Sequence, residues 1–197
     1  MTATARVRDL APAEIAERLD DLASLRIRVF RDWPYLYDGD RAYEAEYLKP
    51  YTESEHALVV GAFDGDALVG ASTAAPMEDH ADEFGAALDA AGLDPREIYY
   101  CGESVLLPEY RGQGIGVAFF EHREAKGRAL GRAYSVFCSV IRPADHPLKP
   151  ADYVPLDGFW RKRGYAVVDG AEARYAWKDV GEDAETEKAM RVWLKRL

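Results

Sequence analysis

Apolar positions recur along the chain at two different spacings. Ala5 to Leu10 alternates weakly and reads as a first strand. From Pro12 the period lengthens: Ile15, Leu19, Leu22, Leu25 and Val29 recur at steps of three and four, on one face of a helix. That helix is expected to stop before Asp32-Trp33-Pro34, because a proline drives its predecessor out of helical geometry. An aromatic loop from Trp33 to Asp40 follows, then a second short helix over about Ala42 to Tyr51. Ala57 to Phe63 and Ala67 to Ala75 are β-prone runs joined by Asp64-Gly65, a hairpin signal. Ala81 to Leu93 reads as a helix closed by Gly92 and Pro95, and Ile98 to Leu107 as a strand ended by Pro108. Gly114 to Leu130 is expected to be helical, with Gly131 as its stop, before a strand over Tyr134 to Ile141. A proline-rich loop spans Arg142 to Pro155, and Asp157 to Arg163 forms a short helix capped by Gly164. Tyr165–Val168 and Ala173–Trp177 read as the last strands. A closing amphipathic helix from Ala184 carries Met190, Trp193, Leu194 and Leu197 on one stripe. This order, a hairpin followed by a strand–helix–strand unit and two more strands, predicts an α/β or α+β sandwich around one core.

Length and charge narrow the class. The chain has 197 residues, so residues 1–197 are expected to form a single domain. Apolar residues make up 48% and charged residues 30%, the mixture of a packed globule. Lys and Arg total 25 against 35 Asp and Glu, a formal charge of −10, which argues against nucleic acid and against an anionic membrane surface as partners. No run approaches the roughly 20 apolar residues of a membrane span, and Met1 to Asp9 has no apolar stretch behind a basic one. A cytoplasmic location is the expectation. Cys101 and Cys138 are the two cysteines, too few for a disulfide framework and without metal-ligand spacing, so no metal is expected.

Chemistry concentrates in Glu103-Ser104-Val105-Leu106-Leu107-Pro108-Glu109-Tyr110-Arg111-Gly112-Gln113-Gly114-Ile115-Gly116. A strand runs into a glycine-rich turn from which a helix starts, and a helix start offers unpaired N–H groups and the positive end of its dipole to an anion. Gly112, Gly114 and Gly116 let backbone approach a phosphate without Cβ obstruction, and Arg111 adds charge at the mouth. A P-loop would need Gly-Lys-Ser/Thr, which does not occur here. A dinucleotide fingerprint counted from Gly112 meets Val117 at its third glycine, and the next strand ends in Ile141-Arg142 rather than an acid.

The pattern R/Q-x-x-G-x-G/A does fit, with Arg111, Gly114 and Gly116 at its specified positions. This segment resembles motif A of the GNAT superfamily of acyl-CoA-dependent N-acetyltransferases. Asp157-Gly158-Phe159-Trp160-Arg161-Lys162-Arg163-Gly164-Tyr165 resembles the superfamily's second marker, and the resemblance runs from the first helix to Trp177. The segment 184–197 lies outside the recognisable pattern. The resemblance implies a GNAT fold: a mixed, mostly antiparallel central sheet, splayed between its fourth and fifth strands and flanked by helices. It implies acetyl-CoA as co-substrate, its pyrophosphate on the Arg111, Gly112, Gln113, Gly114, Ile115 and Gly116 turn and its pantetheine along the bulged, splayed edge at Leu106 and Leu107. A backbone N–H near Leu106 would polarise the acetyl carbonyl. Direct attack by an amine needs a general base, for which Glu103 stands on the splayed strand. In such a cleft desolvation would raise its pKa; the other reading of Glu103 is a carboxylate paired with a neighbour. Where the superfamily often has a tyrosine that protonates the leaving thiolate, this sequence has Trp160. The acid role is then vacant, moved to Tyr153, or filled by water.

Acceptor recognition is open at this stage. The loop from Trp33 to Asp40 matches by location the segment that closes over acceptors, and Tyr35, Tyr37 and Asp38 can cage a cationic amine or plug the core edge. Arg142 and His146 lie in the proline-stiffened loop after the strand bordering the cleft and can read substrate or simply hold a turn. His122, spaced helically with Ala118, Ala125 and Ala129, reads as a packed structural histidine. The function implied is acetyl transfer to a primary amine of a small molecule or peptide. The alternatives are transfer of a longer acyl group and a non-catalytic acyl-CoA-binding module. The apolar stripe of the last segment would dock on its own domain or on a second subunit, giving a homodimer.

Overall fold

The computed structural model describes residues 5–80, 87–89 and 91–197. Its elements are β1 (Arg6–Asp9), α1 (Pro12–Glu17), α2 (Leu19–Phe30), α3 (Arg41–Leu48), α4 (Pro50–Glu53), β2 (Leu58–Asp64), β3 (Ala67–Pro76), β4 (Ile98–Leu106), α5 (Ile115–Ala129), β5 (Tyr134–Val140), α6 (Asp157–Lys162), β6 (Ala166–Lys178) and β7 (Glu185–Arg196). The first long helical pattern is broken at Arg18, whose backbone leaves helical geometry between α1 and α2. Asp40 starts α3 by accepting the amides of Ala42 and Tyr43 through Oδ1, at 2.9 and 3.0 Å. The helix expected over Ala81–Leu93 falls largely on 81–86 and 90, outside the described residues.

Seven strands form one sheet in the order β1-β2-β3-β4-β5-β7-β6. All neighbours are antiparallel except β4 and β5, which run parallel because α5 carries the chain back across the sheet between them. That parallel pair is short: Ile98, Tyr99 and Tyr100 meet Tyr134, Ser135 and Val136, and nothing beyond them pairs. Past this point β4 stays on β3 as far as Leu106 and β5 stays on β7 as far as Val140, so the two strands diverge into an open cleft. The expected splay between the fourth and fifth strands is present.

A bulge in β4 accompanies the splay. Thr73 pairs with Glu103 and Ala75 with Tyr100, so β4 uses one more residue than β3 over this stretch. The extra residue reverses the alternation. Tyr99 packs on Gly127 of α5 and Cys101 meets Ser135 on that same helix-covered face, whereas Tyr100 and Glu103 both face the opposite cavity. The carbonyl of Glu103 at the bulge accepts from Ser72 Oγ at 2.8 Å and from Arg123 Nη1 at 3.2 Å, which satisfies it where the ladder is disturbed. Gly102 is required there: a Cβ would come within 2.8 Å of both the Thr73 and Tyr51 hydroxyl oxygens.

The C-terminal segment corrects the sequence reading. Residues 184–197 do not form a helix; Glu185–Arg196 is β7, inserted between β5 and β6. The three- and four-residue spacing of Met190, Trp193 and Leu194 conceals a period of two. Met190, Val192 and Leu194 face one cluster with Val136, Tyr100 and Trp177, while Trp193 faces the other with Phe137, Tyr165 and Trp160. Pairing on both edges, available only in the folded sheet, decides for the strand. The apolar stripe therefore docks on its own sheet. Tyr165–Val168 and Ala173–Trp177 likewise belong almost wholly to one strand, β6, bent by an irregularity between Val167 and Glu172.

Trp193 is fully buried and stacks on Phe137 with ring centroids 6.0 Å apart and planes 8° from parallel. Trp193→Ala is expected to lower unfolding stability by about 3–5 kcal/mol in urea titration. A loss below about 1 kcal/mol would contradict the assignment of Trp193 to a strand at the centre of this ring cluster.

Candidate active site

The cleft between β4 and β5 opens at one end onto a glycine-rich turn. After Leu106 the chain passes Leu107, whose amide donates to Val69 O at 3.0 Å, and a tight turn at Pro108–Tyr110. Gly112 and Gly114 then take left-handed conformations, φ 77° and 84°, with open space where a Cβ would stand. Gly114 caps α5 without a side-chain acceptor. Among the described residues the amides of Gly112, Gln113, Gly114, Ile115 and Gly116 have no acceptor, whereas Val117 and Ala118 already bond to Gly114 O. Consecutive unpaired amides at the positive end of a fifteen-residue helix form an anion cradle. At Gly116 a Cβ would make ordinary contact with the Phe159 ring of α6, at 3.4 Å. Arg111 is exposed at the mouth, and its Nη2 lies 3.5 Å from Leu106 O.

At the other end lies a cavity of about 100 Å³ walled by aromatic rings and floored by β4 and β5. Glu103, 9% exposed, lines it. Its Oε2 receives both polar contacts: the Tyr47 hydroxyl donates at 2.6 Å and Arg26 Nη1 stands at 2.5 Å. Among the described residues Oε1 has no hydrogen-bond partner. Arg26, 6% exposed, also pairs through Nε with Glu44, which is fully buried, so one guanidinium bridges two carboxylates. Burial alone would lower the Arg26 pKa, but Glu103, Tyr47 and Glu44 together hold it well above the usual value. Burial raises the Glu44 carboxyl even against Arg26, and pushes the Tyr47 phenol well up, which keeps its proton in place as a donor to Glu103. Arg26 also lies over the Tyr47 ring at 3.9 Å.

The structure brings several of the expected residues together. Glu103, Tyr35 and Tyr37 share this cavity, and Asp38 lines the adjoining one. Lys178 and Arg31 hold Asp38 at 2.8 and 3.0 Å and keep its carboxyl below the usual range. Others serve the scaffold. Arg142 pairs with Asp179 at 2.6 Å and donates to the carbonyls of Pro34 and Tyr35, clamping the aromatic loop against the sheet. His146 packs on Trp33 and accepts the Leu148 amide through Nδ1 at 3.2 Å. Tyr153 stands edge-on to the same Trp33 ring and is not among the residues around the cavity of Glu103. The Trp160 ring, partly buried, packs on Phe137 and Trp193 against the core. His122 is not packed as expected: it is about one-third exposed and meets Asp9 at 2.6 Å.

Arg26, Glu44, Tyr47, Tyr100 and Cys138 were missed. Arg26 carried a signal, a charge four residues after Leu22 on the apolar face of α2. Glu44, Tyr47 and Tyr51 also share a helical face, but nothing local tied it to Glu103. Cys138 borders the cavity, and burial pushes its thiol up to about 12. Among the described residues no three His, Cys, Asp or Glu side chains gather as a metal site, and no helix is long and apolar enough to cross a membrane.

Comparison with known proteins agrees with this geometry. Over almost its full length the chain superposes on solved acetyltransferases. A ribosomal-protein-alanine N-acetyltransferase from Brucella melitensis matches with TM-score 0.63 and 12% identity, covering 98% of this chain and 99% of that one. A phosphinothricin acetyltransferase of the GNAT superfamily from Sinorhizobium meliloti, solved with AcCoA, matches with TM-score 0.60 and 17% identity over 99% and 89%. YncA from Salmonella typhimurium, a putative acetyltransferase solved with acetyl-CoA, matches with TM-score 0.58 and 11% identity over 99% and 95%. No curated protein matches in sequence. The profile of the acetyltransferase (GNAT) family matches residues 21–149, which hold most of α2, the bulged β4, the amide cradle and β5. With cleft, cradle and profile in agreement, this chain belongs to the GNAT acetyltransferase family.

Proposed function

We propose that residues 1–197 work as one N-acetyltransferase domain that moves the acetyl group of acetyl-CoA directly onto a primary amine of a small molecule or peptide. One observation carries this reading. The β4–β5 cleft joins an amide cradle at one end to a carboxylate-bearing aromatic cavity at the other. A thioester laid through it would present its carbonyl beside Glu103.

Acetyl-CoA supplies the activated carbonyl carbon. The amides of residues 112–116 and the dipole of α5 hold its pyrophosphate, with Arg111 at the rim. The edge of β4 that β5 leaves open, up to Leu106, receives the pantetheine as an added strand would be received, and an amide of this edge polarises the carbonyl, whereas the Leu107 amide is already given to Val69 O. Glu103 Oε1 takes one proton from the bound ammonium, freeing the nitrogen lone pair. The C–N bond forms as the C–S bond breaks with its electron pair on sulfur, and the second nitrogen proton balances the thiolate. The partly buried Trp160 indole gives up no proton at useful pH and Tyr153 lies against Trp33, so water delivers that proton to sulfur. The same tryptophan favours a second reading, an acyl-CoA-binding module without turnover.

Glu103→Gln is expected to lower kcat by roughly 10²-fold or more while coenzyme A affinity, measured by calorimetry, stays within about twofold. A pH–rate profile that keeps its acid limb in this variant would remove Glu103 from the base role. Gly114→Val forces a β-branched residue into a left-handed cap and is expected to weaken coenzyme A binding by about tenfold or more; undiminished binding by a folded variant would take the cradle out of the account. Tight coenzyme A binding with no thiol released for any amine would select the module.

A further inference from the structure

Arg123 carries a buried charge with no counter-charge. It stands on α5, 2% exposed, and among the described residues no carboxylate lies within ion-pair distance of it. Its Nε has no hydrogen-bond partner, and its guanidinium lies over the Phe120 ring at 4.5 Å. Arg26, buried almost as deeply, faces two carboxylates. A charge so far out of water is ordinarily paired. Arg123 instead donates through Nη1 to Ser72 Oγ at 2.7 Å, to Ser104 Oγ at 2.8 Å and to Glu103 O at 3.2 Å. Ser72 spends its only proton on Glu103 O, so toward the guanidinium its oxygen is an acceptor. Ser104 Oγ accepts from Nη1 in the same way and keeps its own proton. Within the cluster that proton has one acceptor, Ser72 Oγ at 3.0 Å, an oxygen that already takes a bond from Arg123.

The place of Ser104 gives this cluster a use. Ser104 is exposed, although Glu103 and Val105 on either side of it are buried, and it lies past Tyr100, where β5 has left β4. The Leu107 amide goes to Val69 O, so by the alternation of an antiparallel ladder the amides of Leu106 and Ser104 turn to the open edge. Glu103 faces the aromatic cavity and Ser104 faces α5, so the two side chains flank one edge from opposite faces of the sheet. A thioester carbonyl held on this edge has the base on one side and, on the other, a hydroxyl backed by a buried cation. The negative charge that Arg123 lacks arises there when the amine adds and the carbonyl oxygen becomes an oxyanion.

We propose that Ser104 Oγ is a catalytic hydrogen-bond donor to the thioester oxygen, and that Arg123 is its positioning residue, turning the Ser104 proton toward the cleft and opposing the charge that develops there. This rests on the transferase reading above and adds a side-chain donor to the edge amide. Ser104 keeps its proton throughout. The oxyanion electron pair returns to the carbonyl as the C–S bond breaks, so the contact is strongest between the two steps.

Thiol release from acetyl-CoA by the full chain, over a panel of primary amines, is the assay. Ser104→Ala is expected to lower kcat by about 10²-fold, with KM and coenzyme A affinity by calorimetry within about twofold. Ser104→Thr, which keeps the hydroxyl, is expected to restore kcat to within about threefold of the unaltered protein. The infrared carbonyl band of isotope-labelled acetyl-CoA reads the contact itself: it is expected to shift to lower frequency on binding, and by less in Ser104→Ala. Arg123→Met is expected to lower kcat by about tenfold or more, but by less than about threefold in the Ser104→Ala background, since it acts through the hydroxyl. Equal losses in both backgrounds overturn the positioning role of Arg123; should that variant fail to fold, Ser104→Ala decides. A kcat within about twofold in Ser104→Ala, or a carbonyl band identical to that of the unaltered protein, overturns the proposal and leaves the transferase standing. Coenzyme A binding with no thiol released for any amine overturns both.

Discussion

One extra residue in β4 sets the position of everything else in the site. Without it, strict alternation would place Glu103 on the face of Tyr99 and Cys101, buried under α5 and out of reach of any acceptor. With it, Tyr100 and Glu103 face the same cavity, and β4 leaves the parallel partnership with β5 at Tyr100, where the bulge begins. A bulge costs ladder bonds, and here buried groups meet that cost: Arg123 reaches up from α5 to the Glu103 carbonyl and to the hydroxyls of Ser72 and Ser104. The helix that presents the amide cradle at its first turn thus steadies the bulge with its third. The amide cradle and the cavity of Glu103 thus hang on the same helix and strand.

The cavity of Glu103 is organised by a second buried cation. Arg26 stands between Glu44 and Glu103, both almost wholly out of water. Three charges in such a place are expensive to desolvate, and the arrangement is tolerable because each group has a charged partner at hydrogen-bond distance. Its use is positional. Arg26 and Tyr47 hold one oxygen of Glu103 and leave the other to the cavity, so docking of α2 and α3 on the sheet and orientation of the carboxylate are the same event. The clamp of Arg142 on the carbonyls of Pro34 and Tyr35 plays the matching part for the aromatic loop. Arg142, whose type and place suit it to reading substrate, instead holds the wall of the cavity.

Much of this was legible in the chain. The strand–glycine turn–helix segment was recognisable because its chemistry is local: left-handed turns at Gly112 and Gly114 and unpaired amides at a helix start follow from a few adjacent residues. The hairpin at Asp64-Gly65 and the stop at Gly131 were readable for the same reason. Legibility failed where two elements had to meet. Tyr153 and His146 carried suitable side chains in a suitable loop, yet both rest on Trp33. Arg26 and Tyr47 sat on helices that periodicity located well, but nothing within either helix said that a β-strand carboxylate would complete them.

The chain by itself determined where backbone must turn, which stretches carry apolar faces, and that an anion would be welcomed at the start of α5, because those outcomes depend on residues within a turn or two of one another. Only the tertiary structure decided that 185–196 is a strand, since its two hydrogen-bonded edges belong to β5 and β6, and spacing of three and four cannot be told from alternation until the partners are present. It also decided which way Glu103 faces. A bulge is a mismatch in length between two strands, and no single strand contains that information.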